Sequence, residues 1–369
     1  MYLNKIYKIT TTPKMKNVSD NIFKIKKTIL FSLLLLGFLT PSRINSQEYR
    51  SAKAYIEDFG KNDMYLKKAI MDYSITIVES FLDTRSEVTA KRIVEKLKII
   101  NSNIDHHDRG FKGNTVLRDG LLRMNEKTLQ AIENKTMVLD DYDSQNELSL
   151  KGIIANFNQR ESSIMQYFEE INRFERIKKE FGVQYDLTIK NYDENNVFEY
   201  CAKQNILFYK MNVLDHKLIH LIINKDKQGF LECLQAIENL KPHVLSKTAE
   251  LKKDFSDESI NDANIEYVNF LSDQNEKIMS YVLDYFEQYK LVQKIKARSK
   301  EIQESNKTIA EYNKVVKLFN YKKNILLMLL EENQKNKKKL YNKWYTTNAK
   351  FLRNNIVFED IHEKFVKDK

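Results

Sequence analysis

Glycine and proline are so scarce in this chain that helical folds are nearly the only ones open to it. Proline occurs at positions 13, 41 and 242 alone, and none of the eight glycines lies beyond Gly229. A strand-rich fold reverses direction every ten residues or so, and its turns call on Gly, Pro, Asn or Asp in special conformations. Asn and Asp are plentiful here, but the alternating apolar pattern of strands is not. The 369 residues are 42% hydrophobic, with 20 Tyr and 20 Phe, which is material for a sizeable core despite 30% charged residues. The expectation is an all-α, elongated multi-helix bundle.

Apolar periodicity and capping residues place the helices. They are expected over about 50–82, from Thr84 to about 104, over 114–139, from Ser144 to about 181, over 196–223, 230–253 and 260–350, with a short one near 356–367. Thr84 with Glu87 and Ser144 with Glu147 have the spacing of capping boxes, in which each side chain satisfies the other residue's free amide. Gly182 fits a helix end, and Pro242 falls inside a helix. The hexapeptide Leu129–Asn134 recurs letter for letter as Leu234–Asn239, and Ile164-Met165-Gln-Tyr167 has a counterpart in Ile278-Met279-Ser-Tyr281. These echoes predict two duplicated helical-hairpin units, residues 47–190 and 191–290, followed by a basic helical segment, 291–369. In that segment Ile295, Ile302, Ile309 and Val316 lie seven apart. Their companion seam is half polar, so the helix is expected to lie against the bundle rather than form a free coiled coil.

Residues 1–46 have the parts of a secretory signal. Lys24, Lys26 and Lys27 precede the apolar run Thr28–Leu39, Pro41 interrupts it, and Ser46 offers a small residue before Gln47. The run is shorter than the roughly 20 residues that a spanning helix needs. No cysteine follows it, which excludes lipidation there. In the remainder no apolar run reaches spanning length; the best, Ile325–Leu330, is bracketed by Lys322, Lys323, Glu331 and Glu332. The expected location is therefore the periplasm or cell surface, without a transmembrane span in the mature chain.

The formal charge of +10 is unevenly spread. Residues 1–46 hold eight basic groups and one acidic, 47–290 hold 34 and 41, and 291–369 hold 19 and 9. An acidic body is joined to a basic C-terminal quarter, which argues for a protein or an acidic envelope surface as partner, and not for nucleic acid. Tyr341, Trp344 and Tyr345 are interleaved with Lys337, Lys338, Lys339 and Lys343, and stand out as a candidate partner contact. The competing reading is internal: these aromatics are core, and the lysines neutralise the body they pack against.

Other constellations lack a component. His216 and His220 share a helix face at metal-binding spacing, but a zinc protease needs Glu after the first His, and Lys217 is there. Glu359 with His362 is a single Glu-x-x-His where a di-iron bundle needs two. Asp105, His106, His107 and Asp108 form a polar loop with cation- or pH-sensing chemistry. Cys201 and Cys233 lie in adjoining helices, roughly 27 Å out of register about the turn near 226, too far for a bridge, so free thiols are expected. No phosphate-binding glycine loop or nucleophile elbow is present. No catalytic residue, metal or cofactor is expected.

The Lys- and Asn-rich export segment ending Ile44-Asn-Ser46-Gln47 resembles those of Bacteroidota secreted proteins. The helical body resembles in style the uncharacterised helical surface proteins of those bacteria and of spirochaetes. The resemblance implies export, and a helical C-terminus in place of a β-sandwich sorting domain favours the periplasm over surface release. The function expected is a non-enzymatic binding or structural role in the cell envelope. The alternatives are a membrane-active pore former and a metal-dependent envelope protein using His216 and His220.

Overall fold

The computed structural model describes residues 49–79, 85–134, 142–189, 196–301 and 306–355. Within them lie nine helices: α1 (Ala52–Glu79), α2 (Arg85–His107), α3 (Val116–Glu133), α4 (Tyr142–Asn146), α5 (Leu150–Gln184), α6 (Val197–Asn224), α7 (Lys227–Leu251), α8 (Ser259–Glu301) and α9 (Asn306–Asn355). The described residues contain no strand beyond an isolated bridge between Phe111 and Asn114. The fold is all-α, as the dearth of Gly and Pro requires. The export segment, Thr84, Ile302, Glu359 and His362 lie outside the described residues.

Helix ends follow local chemistry. Ser149, not Ser144, caps α5, its hydroxyl accepting from the Gly152 amide at 3.2 Å. Ser144 falls inside the short α4 instead. Asn196 caps α6 and Asp226 caps α7 in the same way. The C-termini of α5 and α6 close without glycine. Asp186 and Lys225 adopt left-handed conformations (φ 52° and 60°), and the next residues donate back to the Gly182 and Leu221 carbonyls at 2.8 and 3.0 Å. That six-to-one closure satisfies carbonyls the helix leaves free. The turn before α3 does require glycine: Gly110 has φ +79°, and a Cβ there would sit 2.3 Å from the Asn114 carbonyl oxygen.

Two large cores share the helix α5, and α9 also touches α1 while Ala131 of α3 reaches the second core. The N-terminal core packs α1, α2, α3 and the C-terminal half of α5, around Tyr55, Phe59, Leu97, Leu117, Leu121, Phe174 and Phe181. A Cβ on Gly120 would lie 2.9 Å from Ile177, so α3 and α5 approach closely there. The second core packs the first half of α5, through Phe168, against α6–α9, around Phe157, Phe208, Tyr209, Leu218, Phe230, Tyr267 and Val282. Ile171 of α5 borders both. A smaller cluster of Val197, Tyr200, Cys201, Ile260, Phe351 and Leu352 closes one end.

This division differs from the units expected from the repeats. The first half of α5 belongs to the second core, so 47–190 is not one unit. α8 runs unbroken through residue 290, so the C-terminal quarter is not a separate segment; α8 and α9 form one long antiparallel hairpin. The echoed peptides also differ in setting. Leu129–Asn134 ends α3 whereas Leu234–Asn239 sits mid-helix in α7, and Tyr167 is buried whereas Tyr281 is exposed. Of the heptad, Ile295 is buried and Ile309 is exposed.

Candidate functional site

The residues that carry chemical potential concentrate on α6, which is buried almost all round and is flanked by α5, α7, α8 and α9. At its centre, each member of the His-x-x-x-His stretch is committed to packing. The His216 ring stacks on Tyr142 of α4, centroids 4.5 Å apart and nearly parallel. Enclosure of the ring pushes its pKa well below the ordinary value, and the nearby Lys337 ammonium adds to the shift. His220 is half-buried, pairs with the Asn224 side chain at 2.7 Å, and is shifted the same way by burial and by Lys217. Lys217 itself is buried and donates to the Asn146 and Leu148 carbonyls at 2.6 and 2.8 Å, which ties the end of α4 to α6. Among the described residues no group of three or more His, Cys, Asp or Glu side chains could hold a metal ion.

Asp215 faces the other way, into the seam between α8 and α9, where it is ion-paired with Lys337. Both side chains are less than 10% exposed. The pair belongs to a ladder of polar contacts along the seam. Gln204 donates to Asn261. Asn264 donates to Gln204 at 2.5 Å and accepts from the Trp344 indole at 2.7 Å. The Tyr267 hydroxyl donates to Asn212 at 2.6 Å, and Asn348 donates to Asn205. Beside Asp215 and Lys337 is a cleft of about 20 Å³, also lined by Gln274, Asn275 and Gln334, which is room for one or two water molecules. The Asn275 amide nitrogen is buried there without a hydrogen-bond partner among the described residues.

The aromatics expected to meet a partner are internal. Trp344 is 3% exposed, lies parallel on Phe208 at 3.7 Å, and spends its one donor on Asn264. Tyr341 and Tyr345 are half-buried against the same core. The partner-contact reading of Tyr341, Trp344 and Tyr345 is therefore corrected. Lys337 shares the face of Tyr341 and Trp344 that is turned toward α6 and is itself buried, whereas Lys338, Lys339 and Lys343 lie on the exposed side. The basic helix answers the acidic body through cross-helix pairs: Lys337 with Asp215, Lys343 with Glu266 at 2.5 Å and Lys322 with Asp284 at 2.8 Å.

The Asp105–Asp108 cluster splits. Asp105, His106 and His107 end α2 on the surface, with His106 held to the Ser102 carbonyl. Asp108 turns inward, accepts from the Tyr55 hydroxyl at 3.2 Å and the Gly110 amide at 2.6 Å, and burial raises its pKa despite those bonds. Its role is to fix the α2–α3 turn on α1. Cys201 and Cys233 are free and buried in different clusters. Cys233 donates to the Leu214 carbonyl, and burial pushes its thiol up to about 12.

Reading the residues one at a time missed the amide ladder. Asn261, Asn264 and Asn275 hide among many solvent-facing asparagines, and only their positions among Ile260, Tyr267 and Val268 mark them as internal. It also missed an apolar stripe on α9, the exposed Leu318, Tyr321 and Met328 with the half-buried Ile325, whose three-four-three spacing is visible in the letters. No helix among the described residues is long and apolar enough to cross a membrane. No family model, curated protein or solved structure compared with the chain matches it.

Proposed function

We propose that this protein is exported and serves the cell envelope as a non-enzymatic helical scaffold that works by surface recognition. The observation that carries the reading is the commitment of its chemically able side chains to packing. Asp215, Lys217, His216 and Trp344 each hold one helix to another, and the cleft that Asp215 borders has room for water rather than substrate. What is left outside is a hairpin of 43- and 50-residue helices, a long rigid surface of the kind that helical recognition uses. Export is supported by the basic-apolar-small order of residues 24–46.

The test is capture from the envelope fraction with the full chain as bait, alongside N-terminal sequencing of the native protein. The expected result is a mature N-terminus near Gln47 and retention of a defined envelope component. An intact N-terminus recovered from the cytoplasm would refute export, and turnover traced to His216 and His220 would refute the non-enzymatic reading.

A further inference from the structure

We infer that the outward face of α9 binds a second copy of this chain, as an antiparallel two-fold helix pair centred near residue 323. This inference does not depend on export. Its apolar part is a stripe of four residues on successive turns: Leu318 (43% exposed), Tyr321 (61%), the half-buried Ile325, and Met328 (70%). Spacings of three and four place them on one face, turned away from Leu326, Leu330 and Trp344, which face the core. Tyr281 of α8, also exposed, borders the stripe beside Lys322. Large aromatic and sulfur-bearing side chains held out in water on a rigid helix have the chemistry of an interface centre.

The occupant follows from the charges at the two ends of the stripe. On the same face, Glu311 and Lys314 precede it and Glu332 and Lys335 follow it; all four are exposed, and none forms an ion pair among the described residues. Turn a second α9 antiparallel about residue 323. Lys314 then meets the partner's Glu332 and Glu311 meets the partner's Lys335. Leu318 comes to face the partner's Met328, and Tyr321 faces the partner's Ile325. Each of these four charges that bracket the stripe is matched by its opposite, and apolar meets apolar, with no second sequence needed. Self-complementarity about one axis is what an isologous dimer demands, and a stripe that had evolved for an unrelated partner has no reason to possess it. Counting the stripe and Tyr281 on both copies, the apolar area available is roughly 1,000 Å², at the small end for specific association. A dissociation constant in the micromolar range is expected.

Sedimentation velocity of the full chain over a concentration series tests this. Wild type should pass from monomer to dimer, and Met328→Glu should weaken the dimer by at least about thirty-fold. Lys314→Glu and Glu332→Lys should each weaken it about ten-fold, because each places like charges across the axis twice. Mixed one to one, these two variants should recover wild-type affinity, since the hetero-pair restores both attractive contacts. That recovery also shows that neither variant is misfolded. A chain that stays monomeric into the hundreds of micromolar would overturn the proposal, and so would a dimer indifferent to both charge variants. Cross-linking that seats the 28–39 segment or a different protein on the stripe would overturn it as well.

Discussion

The two cores bury similar apolar side chains but settle their polar groups differently. In the N-terminal core the few buried polar groups divide: Asn125 donates across to Asn101 of α2 and Tyr55 to Asp108, while others look to their own helix. Thr128 donates to the Met124 carbonyl, and Lys178 pairs with Glu175 three residues away. In the C-terminal core they look across helices: Asp215 to Lys337, Trp344 to Asn264, Tyr267 to Asn212. Apolar contacts alone tolerate a helix sliding by a turn, because one Leu or Phe can replace another against the same groove. Amide and charge contacts do not, since a slip leaves a buried donor or acceptor unmatched at a cost of about 1–3 kcal/mol each. The hairpin of α8 and α9 contains the two longest helices, with the most alternative registers available, and it is the hairpin that carries the polar ladder.

The largest effects should come from one substitution in each core, and their rescue should differ. Phe174→Ala empties a fully buried site on the helix shared by both cores and should cost about 3–5 kcal/mol by urea denaturation. Lys337→Met should cost a similar amount, about 3–5 kcal/mol, because it strands the Asp215 carboxylate. Adding Asp215→Leu to Lys337→Met should return most of that loss, since two apolar side chains leave no buried charge. If the double variant is as unstable as the single one, the seam is held by shape and the contrast between the cores fails.

A smaller effect probes one hydrogen bond of the ladder. Trp344→Phe keeps an aromatic ring to stack on Phe208 but removes the indole donor and part of the ring's volume, leaving the buried Asn264 oxygen without its partner. The expected loss is about 1–3 kcal/mol. Trp344 is the only tryptophan in the chain, so its wild-type emission should be blue-shifted and should move red on unfolding. Native emission at the wavelength of free tryptophan would contradict the burial on which the comparison rests.

How far the letters foretell this molecule depends on whether a signal is local. Helix content follows from missing Gly and Pro, and the α6 and α7 boundaries fall within a few residues of expectation, because caps such as Asn196 and Asp226 act within one turn. The start of α5 differs from expectation because Ser144 and Ser149 both have cap chemistry, and Ser149 is the one used, next to the Asn146 and Leu148 carbonyls that Lys217 holds from far along the chain. The aromatic trio on α9 was ambiguous for the same reason: Tyr341, Trp344 and Tyr345 read equally as surface or core until α6 supplies Phe208. The Asp215–Lys337 pair is invisible in the letters because its two members lie on different helices, 122 residues apart. The cysteines were legible since rise per residue and one turn fix their separation. The repeat misled because six identical letters state a shared local propensity, not a shared place in a fold.

The smallest predicted effect concerns pH and belongs to the C-terminal core alone. The folded-state pKa of His216 lies well below the ordinary 6.5, through enclosure against Tyr142 and the neighbouring Lys337 charge. In the unfolded chain the same ring takes up a proton near 6.5. Below that pH the unfolded state therefore binds more protons than the folded one, so stability falls as pH falls from about 6.5 toward the folded-state value. The slope from this one ring is at most about 1.4 kcal/mol per pH unit. Above about pH 7.5 both states are neutral at this position, and it contributes no slope. His216→Phe keeps a ring to stack on Tyr142 but has nothing to protonate. Urea midpoints for the variant should therefore vary less between pH 7.5 and 5.5 than those of wild type, with the remaining dependence coming in part from His220, which is shifted in the same direction. Because Tyr142, His216 and Lys337 lie on three different helices, a variant that keeps the full wild-type slope would mean that the ring is not enclosed between them, and that the α4–α6 contact is looser than the stacking geometry indicates.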